Sequence, residues 1–207
     1  LDVQWQDLPP STSFSRKLDM KHGKAQMDVH FADGALKTEL VAAPYSDCIA
    51  YRMACSLPKG CTVTLSLRHP DKKSEITPTR DGWILKGQGH NGGTRFENAV
   101  RVQAIEGRVS LDGGILRIDN CKELLVLSST KTDYNSRKPD SPLKNDLGTL
   151  NRNILDAASR AGWKKLEQET AKYFSERMMR CQVDIGDTPA ETAQKTTPER
   201  LQLVRQG

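Results

Sequence analysis

The residues of this 207-residue chain that could do chemistry gather first in one loop, "KGQGHNGGTRFE" at 86–97. A glycine-rich loop can close its backbone on a phosphate when a strand leads in and a helix N-terminus leads out. Here strand-like segments flank the loop on both sides, the spacing fits neither G-x-G-x-x-G nor a P-loop, and no lysine follows the glycines. The loop therefore reads as a connection between strands. Were it to face a ligand, His90, Asn91 and Arg95 are the side chains placed to hydrogen-bond sugar hydroxyls.

Other catalytic schemes find less. Nucleophilic catalysis needs a Ser or Cys with a base and an orienting acid. No G-x-S-x-G occurs, and no cysteine is paired with a particular histidine. Glycoside hydrolysis needs two carboxylates across a cleft, roughly 6.5–9.5 Å apart for inversion. The 26 acidic residues offer many pairs and single out none, while Asp33, Asp81 and Asp112 each precede glycine as turn residues do. Trp5, Trp83 and Trp163 could stack on sugar rings, although each also suits core or rim packing, and Trp163 falls on a helical apolar stripe. No catalytic residue is assigned.

The five cysteines (Cys48, Cys55, Cys61, Cys121, Cys181) show no C-x-x-C spacing, and the four histidines do not cluster with them, so neither zinc nor another cofactor is expected. Cys48, Cys55 and Cys121 sit among apolar neighbours and read as buried thiols. The net charge of +5 is spread through interleaved acids and bases, as in "KKLEQETAKYFSERMMR", with no aromatic-studded basic stripe of a nucleic-acid binder. No apolar run approaches the ~18 residues of a membrane span.

The elements that must position these residues change character along the chain. Up to about residue 134 the period is two: Ala25, Met27, Val29 and Phe31 alternate with polar neighbours, and Asp33-Gly34 supplies a hairpin turn. Further strands are expected in "LKTELVAA", "CIAYRMACS", "CTVTLSLRH", "GWILKGQ", "RFENAVRVQAIEG", "GRVSLDG", "GILRIDN" and "ELLVLSST", with a tight turn at 112–114. The apolar run Leu124 to Leu127 predicts a strand covered on both faces. From about 143 the period becomes helical. Leu150, Ile154, Leu155 and Ala158 share one face, with Thr149 as N-cap and Gly162 as a stop. Trp163, Leu166, Thr170, Tyr173, Phe174 and Met178 form the next stripe. "RCQVDIG" returns to alternation and "DTPAETAQKTT" reads as a loop. "TTPERL" opens a helix with Thr197 as N-cap and Pro198 at its first position. The expected fold is mainly β, an antiparallel β-sandwich of the supersandwich type followed by a C-terminal helical linker. Its expected parts are a sandwich over 1–142, linker helices with one returning strand over 143–186, and an exit segment over 187–207.

Four blocks also carry a resemblance. "FSRKLDMKHGKAQMDVHF", with Arg16, Leu18, Asp19, Ala25 and Met27 in step, and "TELVAAPYSDCIAYRM", with Glu39, Ala42, Ile49 and Arg52 in register, resemble the N-terminal domain of glycoside hydrolase family 95, the α-L-fucosidase type. "RCQVDIG" and "TTPERL" are similar to that family's blocks just ahead of its catalytic domain. The departures are Thr38 where the family has arginine, Tyr45-Ser46 where it has Pro-Asp, and Thr170 where a histidine is usual. The resemblance implies a bacterial accessory domain preceding an (α/α)6 barrel that carries the acid and base, so that this chain stops as the barrel should begin. It implies a periplasmic or extracellular parent acting on terminal α-L-fucosides or related glycans, and it leaves open whether a metal assists that parent. On this reading Trp163, Tyr173 and Phe174 form a face that docks on the barrel, while Trp83, His90, Asn91 and Arg95 are the glycan-facing candidates. The alternative is an independent carbohydrate-binding module, with Trp5, Trp83 and Tyr134 as its aromatic platform.

Overall fold

The computed structural model describes residues 1–71, 73–180, 183 and 186–206, and the side chain of Asn91 lies outside what it describes. Among these residues ten strands run through the first two thirds: β1 (Asp2–Gln6), β2 (Ser13–Asp19), β3 (Lys24–Phe31), β4 (Gly34–Ala43), β5 (Cys48–Cys55), β6 (Cys61–Ser66), β7 (Glu75–Thr79), β8 (Gly82–Gln88), β9 (Arg95–Asp112) and β10 (Ile115–Thr132). Helix α1 (Leu147–Met178) comes next, then the short α2 (Ala190–Ala193) and α3 (Thr197–Gln206). The large layer has the order β2-β3-β4-β5-β10-β9-β8-β7, and every pairing among the described residues is antiparallel.

The second layer is made by prolonging two strands. The N-terminal half of β10 leaves β5 and pairs with β6, which pairs with β1. A register break at Asp119–Glu123, with Asn120 at φ 54°, marks the bend, as an inserted residue sharpens twist and redirects the rest of the strand. "RFENAVRVQAIEG" and "GRVSLDG" are thus one strand, as are "GILRIDN" and "ELLVLSST". Gly107 carries β9 through with φ 125°, a conformation few other residues tolerate. The β9–β10 turn is Gly113-Gly114, both at positive φ, as a two-residue hairpin loop requires. At the other predicted hairpin the turn residues are Ala32-Asp33. Gly34 already pairs with Phe31, and a Cβ there would sit 2.9 Å from the Leu57 backbone.

Alternation sorts side chains into two cores. Leu36, Met53, Cys55, Val100, Val102, Leu124 and Val126 point inward to meet Val63, Leu65, Leu116 and Ile118 of the second layer. Val41, Ala43, Cys48, Ala50, Ala99, Leu125 and Leu127 point outward and are covered by Leu155, Ala158 and Leu166 of α1. Leu124 to Leu127 is covered on both faces, as the unbroken apolar run required.

Helix α1 bends at Gly162, whose φ of 70° interrupts the helical backbone where the glycine stop was expected. Its N-cap is Asp146, three residues before the expected Thr149. The Asp146 carboxylate accepts from the Gly148 N–H (3.1 Å) and the Thr149 hydroxyl (2.6 Å). At α3 the cap is Thr196, not Thr197: its carbonyl accepts from the Arg200 N–H, and its own N–H and hydroxyl donate to Glu199. The strand expected in "RCQVDIG" falls largely outside the described residues, and within the expected loop 187–197 lies the single turn α2.

Glu39 locks α1 to the sheet. This carboxylate, 4% exposed, meets Lys24 (3.1 Å), Lys37 (3.1 Å) and Arg52 (3.2 Å) on the outer face, and Lys24 also reaches Glu167 of α1 at 2.6 Å. Burial would push the Glu39 carboxyl up, but the Lys37 and Lys24 ammoniums overrule it and hold the group below its ordinary value. A depressed folded value stabilises the fold above the unfolded pKa of about 4.3, and that contribution disappears as pH falls through the folded value. Glu39→Ala should cost about 2 kcal/mol, below the usual loss for a broken buried pair because the cations retain access to water. In urea titrations the gap between wild type and variant should narrow from pH 7 to pH 3. A gap that stays constant would mean that charge is not the cause.

Candidate functional site

Where α1 crosses β8 and β9, two adjoining hollows of about 300 and 390 Å3 form one cleft. The odd positions of β9 (Glu97, Ala99, Arg101) and the even positions of β8 (Ile84, Lys86) supply its floor. The first turns of α1 supply its wall through Asp146, Arg152 and Asp156. Arg101 donates to Asp156 at 2.7 Å and faces Asp81 at 3.5 Å. Lys86 stands 3.6 Å from the buried Glu97. The fully buried Asn151 of α1 donates to the Glu97 carbonyl at 2.9 Å, while its Oδ1 has no partner among the described residues. Asp146 is held below the ordinary carboxylate range first by the Thr149 hydroxyl that it caps. Each carboxylate on this cleft is thus engaged by a cation or a donor, an arrangement that holds elements together and can offer polar contacts to a hydroxylated ligand.

The sequence candidates scatter around this cleft. Arg95 lines it, with its backbone N–H and Nε both donating to the Asp133 carboxylate at 2.8 Å. The Arg95 side chain lowers the Asp133 pKa. Tyr134, one residue on, is half-exposed. His90 is exposed on the 3-10 turn His90–Gly92, and its neighbour Asn91 has no described side chain. Trp83 requires a correction. It is 1% exposed, faces the inner core because it alternates with Ile84 on β8, and donates Nε1–H to the Gly114 carbonyl at 2.8 Å. A ring enclosed this way cannot stack on a sugar. Trp5 packs over the same core.

The three residues of the predicted docking face make contacts within the chain and stay partly exposed. Trp163 packs on the outer core of the chain's own sheet. Phe174 lies on Gly23, where a Cβ would come within 2.3 Å of its ring. Tyr173 meets Tyr45 edge-on at 5.6 Å, with the Arg177 guanidinium 3.4 Å over its ring. The helix stripe found its partner within the chain. Sequence reasoning missed Asn151 and Asp133, polar residues on an apolar stripe and at a strand end. Their only signal was position, since neither belongs to a motif.

Among the described residues no group of three or more His, Cys, Asp or Glu could hold a metal ion, and no helix is long and apolar enough to cross a membrane.

The chain is thus a two-layered antiparallel β domain with a kinked helix on its outer face and a polar cleft where that helix crosses the sheet. The sequence model of the "Glycosyl hydrolase family 65, N-terminal domain" matches residues 1–137, and the chain belongs to that family of domains. Among solved structures it is similar in fold to a "Putative kojibiose phosphorylase from human microbiome", at a TM-score of 0.53 and 12% identity. That match covers 83% of this chain and 26% of the other, so the chain spans about a quarter of that protein's length. No curated protein matches the sequence.

Proposed function

We propose that the chain is the non-catalytic N-terminal domain of a glycoside hydrolase and packs against the catalytic domain of the same polypeptide. The supporting observation, beside the family match, is an uncovered apolar face on the inner side of β2–β5. Leu18, Ala25, Leu40 and Tyr51 are successive partners across four strands, and the second layer covers only the last of them. Leu18 is 67% exposed, and Phe14, Leu40 and Ile49 on the same face of the sheet are also exposed. A patch of this kind marks an interface. The resemblance to family 95 supports an (α/α)6 barrel as the occupant and a terminal α-L-fucoside or related glycan as the parent's substrate, handled in the periplasm or outside the cell.

The test pairs this chain with the parent's separately expressed catalytic domain. Complex formation is expected, and Leu18→Glu with Leu40→Glu should weaken it at least about tenfold, equivalent to about 1.4 kcal/mol. Fucosylated oligosaccharides followed by proton NMR should be cleaved by the parent and left intact by this chain alone. Turnover by the chain alone would sink the proposal.

A carbohydrate-binding role has one observation in its favour, the exposed Tyr134 beside Arg95 and the polar cleft. It requires saturation transfer from the protein to a glycan and loss of that signal in Tyr134→Ala.

A further inference from the structure

Three of the cysteines come together in the inner core. Cys55 ends β5, Cys61 opens β6 and Cys121 lies within the bend of β10, and all are buried with free thiols. Their meeting is set by the backbone. The register of β10 against β6 holds from Ile115 to Ile118, breaks at the bulge, and resumes with Cys121 directly opposite Cys61. Gly60, at φ 70°, lets the chain enter β6 so closely that a Cβ there would be 2.7 Å from the Cys121 carbonyl. The Cys61 Sγ lies 3.9 Å from that carbonyl and within hydrogen-bonding reach of the Cys55 thiol, while the Cys121 Sγ lies 3.8 Å from the Glu123 carbonyl, so the link to Cys121 requires both side chains to rotate toward each other.

We propose that Cys61 and Cys121 are a disulfide site, closed as the domain folds in an oxidising compartment. Directly opposed residues of an antiparallel pair have Cα atoms about 4.5–5.5 Å apart. That lies inside the range of about 4.4–6.8 Å that a disulfide spans. The reaction is thiol–disulfide exchange with a small-molecule or protein disulfide such as oxidised glutathione. One cysteine thiolate attacks the oxidant's disulfide and expels one thiolate. The second cysteine then attacks the mixed disulfide and expels the other. The new S–S bond forms as two cysteine thiols lose two protons and two electrons, and the oxidant is reduced to two thiols. Burial sets the timing. It pushes the Cys121 thiol up to about 11 and the Cys61 thiol higher still, with Cys55 beside it adding to the shift, so the folded domain offers almost no thiolate. Bond formation therefore precedes closure of the core. The bond would tie the second layer to the bend of β10 and cross-link residues 60 positions apart, a long loop of the kind whose closure constrains the unfolded chain most.

The experiment refolds the 207-residue chain from denaturant in a mixture of reduced and oxidised glutathione, alkylates it and maps the peptides by mass spectrometry. Of the five thiols, two should be protected as one linked peptide pair containing Cys61 and Cys121. Cys55→Ser should keep that link and Cys121→Ser should lose it, and the oxidised wild type should melt at a higher temperature than the same sample after reduction. A Cys55–Cys61 link, or full alkylation of all three core thiols in protein that regains its native circular dichroism, would overturn the assignment.

Discussion

Trp83→Ala should destabilise the domain by about 3–5 kcal/mol, the usual consequence of deleting a large aromatic ring from a packed core. The ring is the largest fully buried side chain among the described residues, and it touches both layers of the sandwich. Its loss leaves a cavity and strands the Gly114 carbonyl in the β9–β10 turn, which now accepts from Nε1 at 2.8 Å. Trp83→Phe should recover most of the packing but not the hydrogen bond, so its urea midpoint should fall between wild type and the alanine variant. Midpoints in urea with tryptophan fluorescence and circular dichroism as parallel probes would decide the matter. An alanine variant as stable as wild type would mean that the ring is not enclosed as described.

Leu166→Ala should be nearly as costly, about 2–5 kcal/mol, and for a different reason. Leu166 lies beyond the Gly162 kink, fully buried against the outer core, and with Leu155 and Ala158 it covers Val41, Ala50 and Leu127. Truncating it loosens the second half of α1, where the other anchors are the Lys24–Glu167 ion pair, the Ser46 N–H donated to Glu169 at 3.0 Å, and Phe174 on Gly23. The variant should therefore bind an apolar dye and show faster amide exchange over 163–178 than over 147–161. Uniform exchange across both halves would show that the helix releases as one piece despite the kink.

Much of this architecture was legible in the sequence because one physical signal, alternation, decided it. Met27 against Gln26, or Met53 against Arg52, names the face of the strand on which each residue lies, and Leu124 to Leu127 names the strand buried on both sides. What alternation cannot convey is continuity. Gly107 and Asn120 read as turn punctuation, yet in the fold they let long strands bend from one layer into the other. The five-residue β1 has only Val3 and Trp5 to mark it, and β7 carries Pro78, which fits the edge it occupies. The candidate site was less legible. Trp83 was placed among ligand-facing residues by chemical type alone, and its enclosure depends on β6 and β10, strands distant in sequence. The stripe of Trp163, Tyr173 and Phe174 correctly announced an apolar helix face, but a periodicity does not say which surface will meet it.

The shared strands β9 and β10 also determine how the domain must come apart. Because β9 and β10 run through both layers, neither layer can open while the other stays intact without stripping a strand along half its length. Unfolding should therefore be a single cooperative event. The amides of β5, β6 and the β9–β10 ladder should exchange at one common, slowest rate, set by global opening. The pairing of β5 with β10 joins residues 69 to 79 positions apart, so formation of that ladder, with its high loop-closure cost, is the step expected to limit folding.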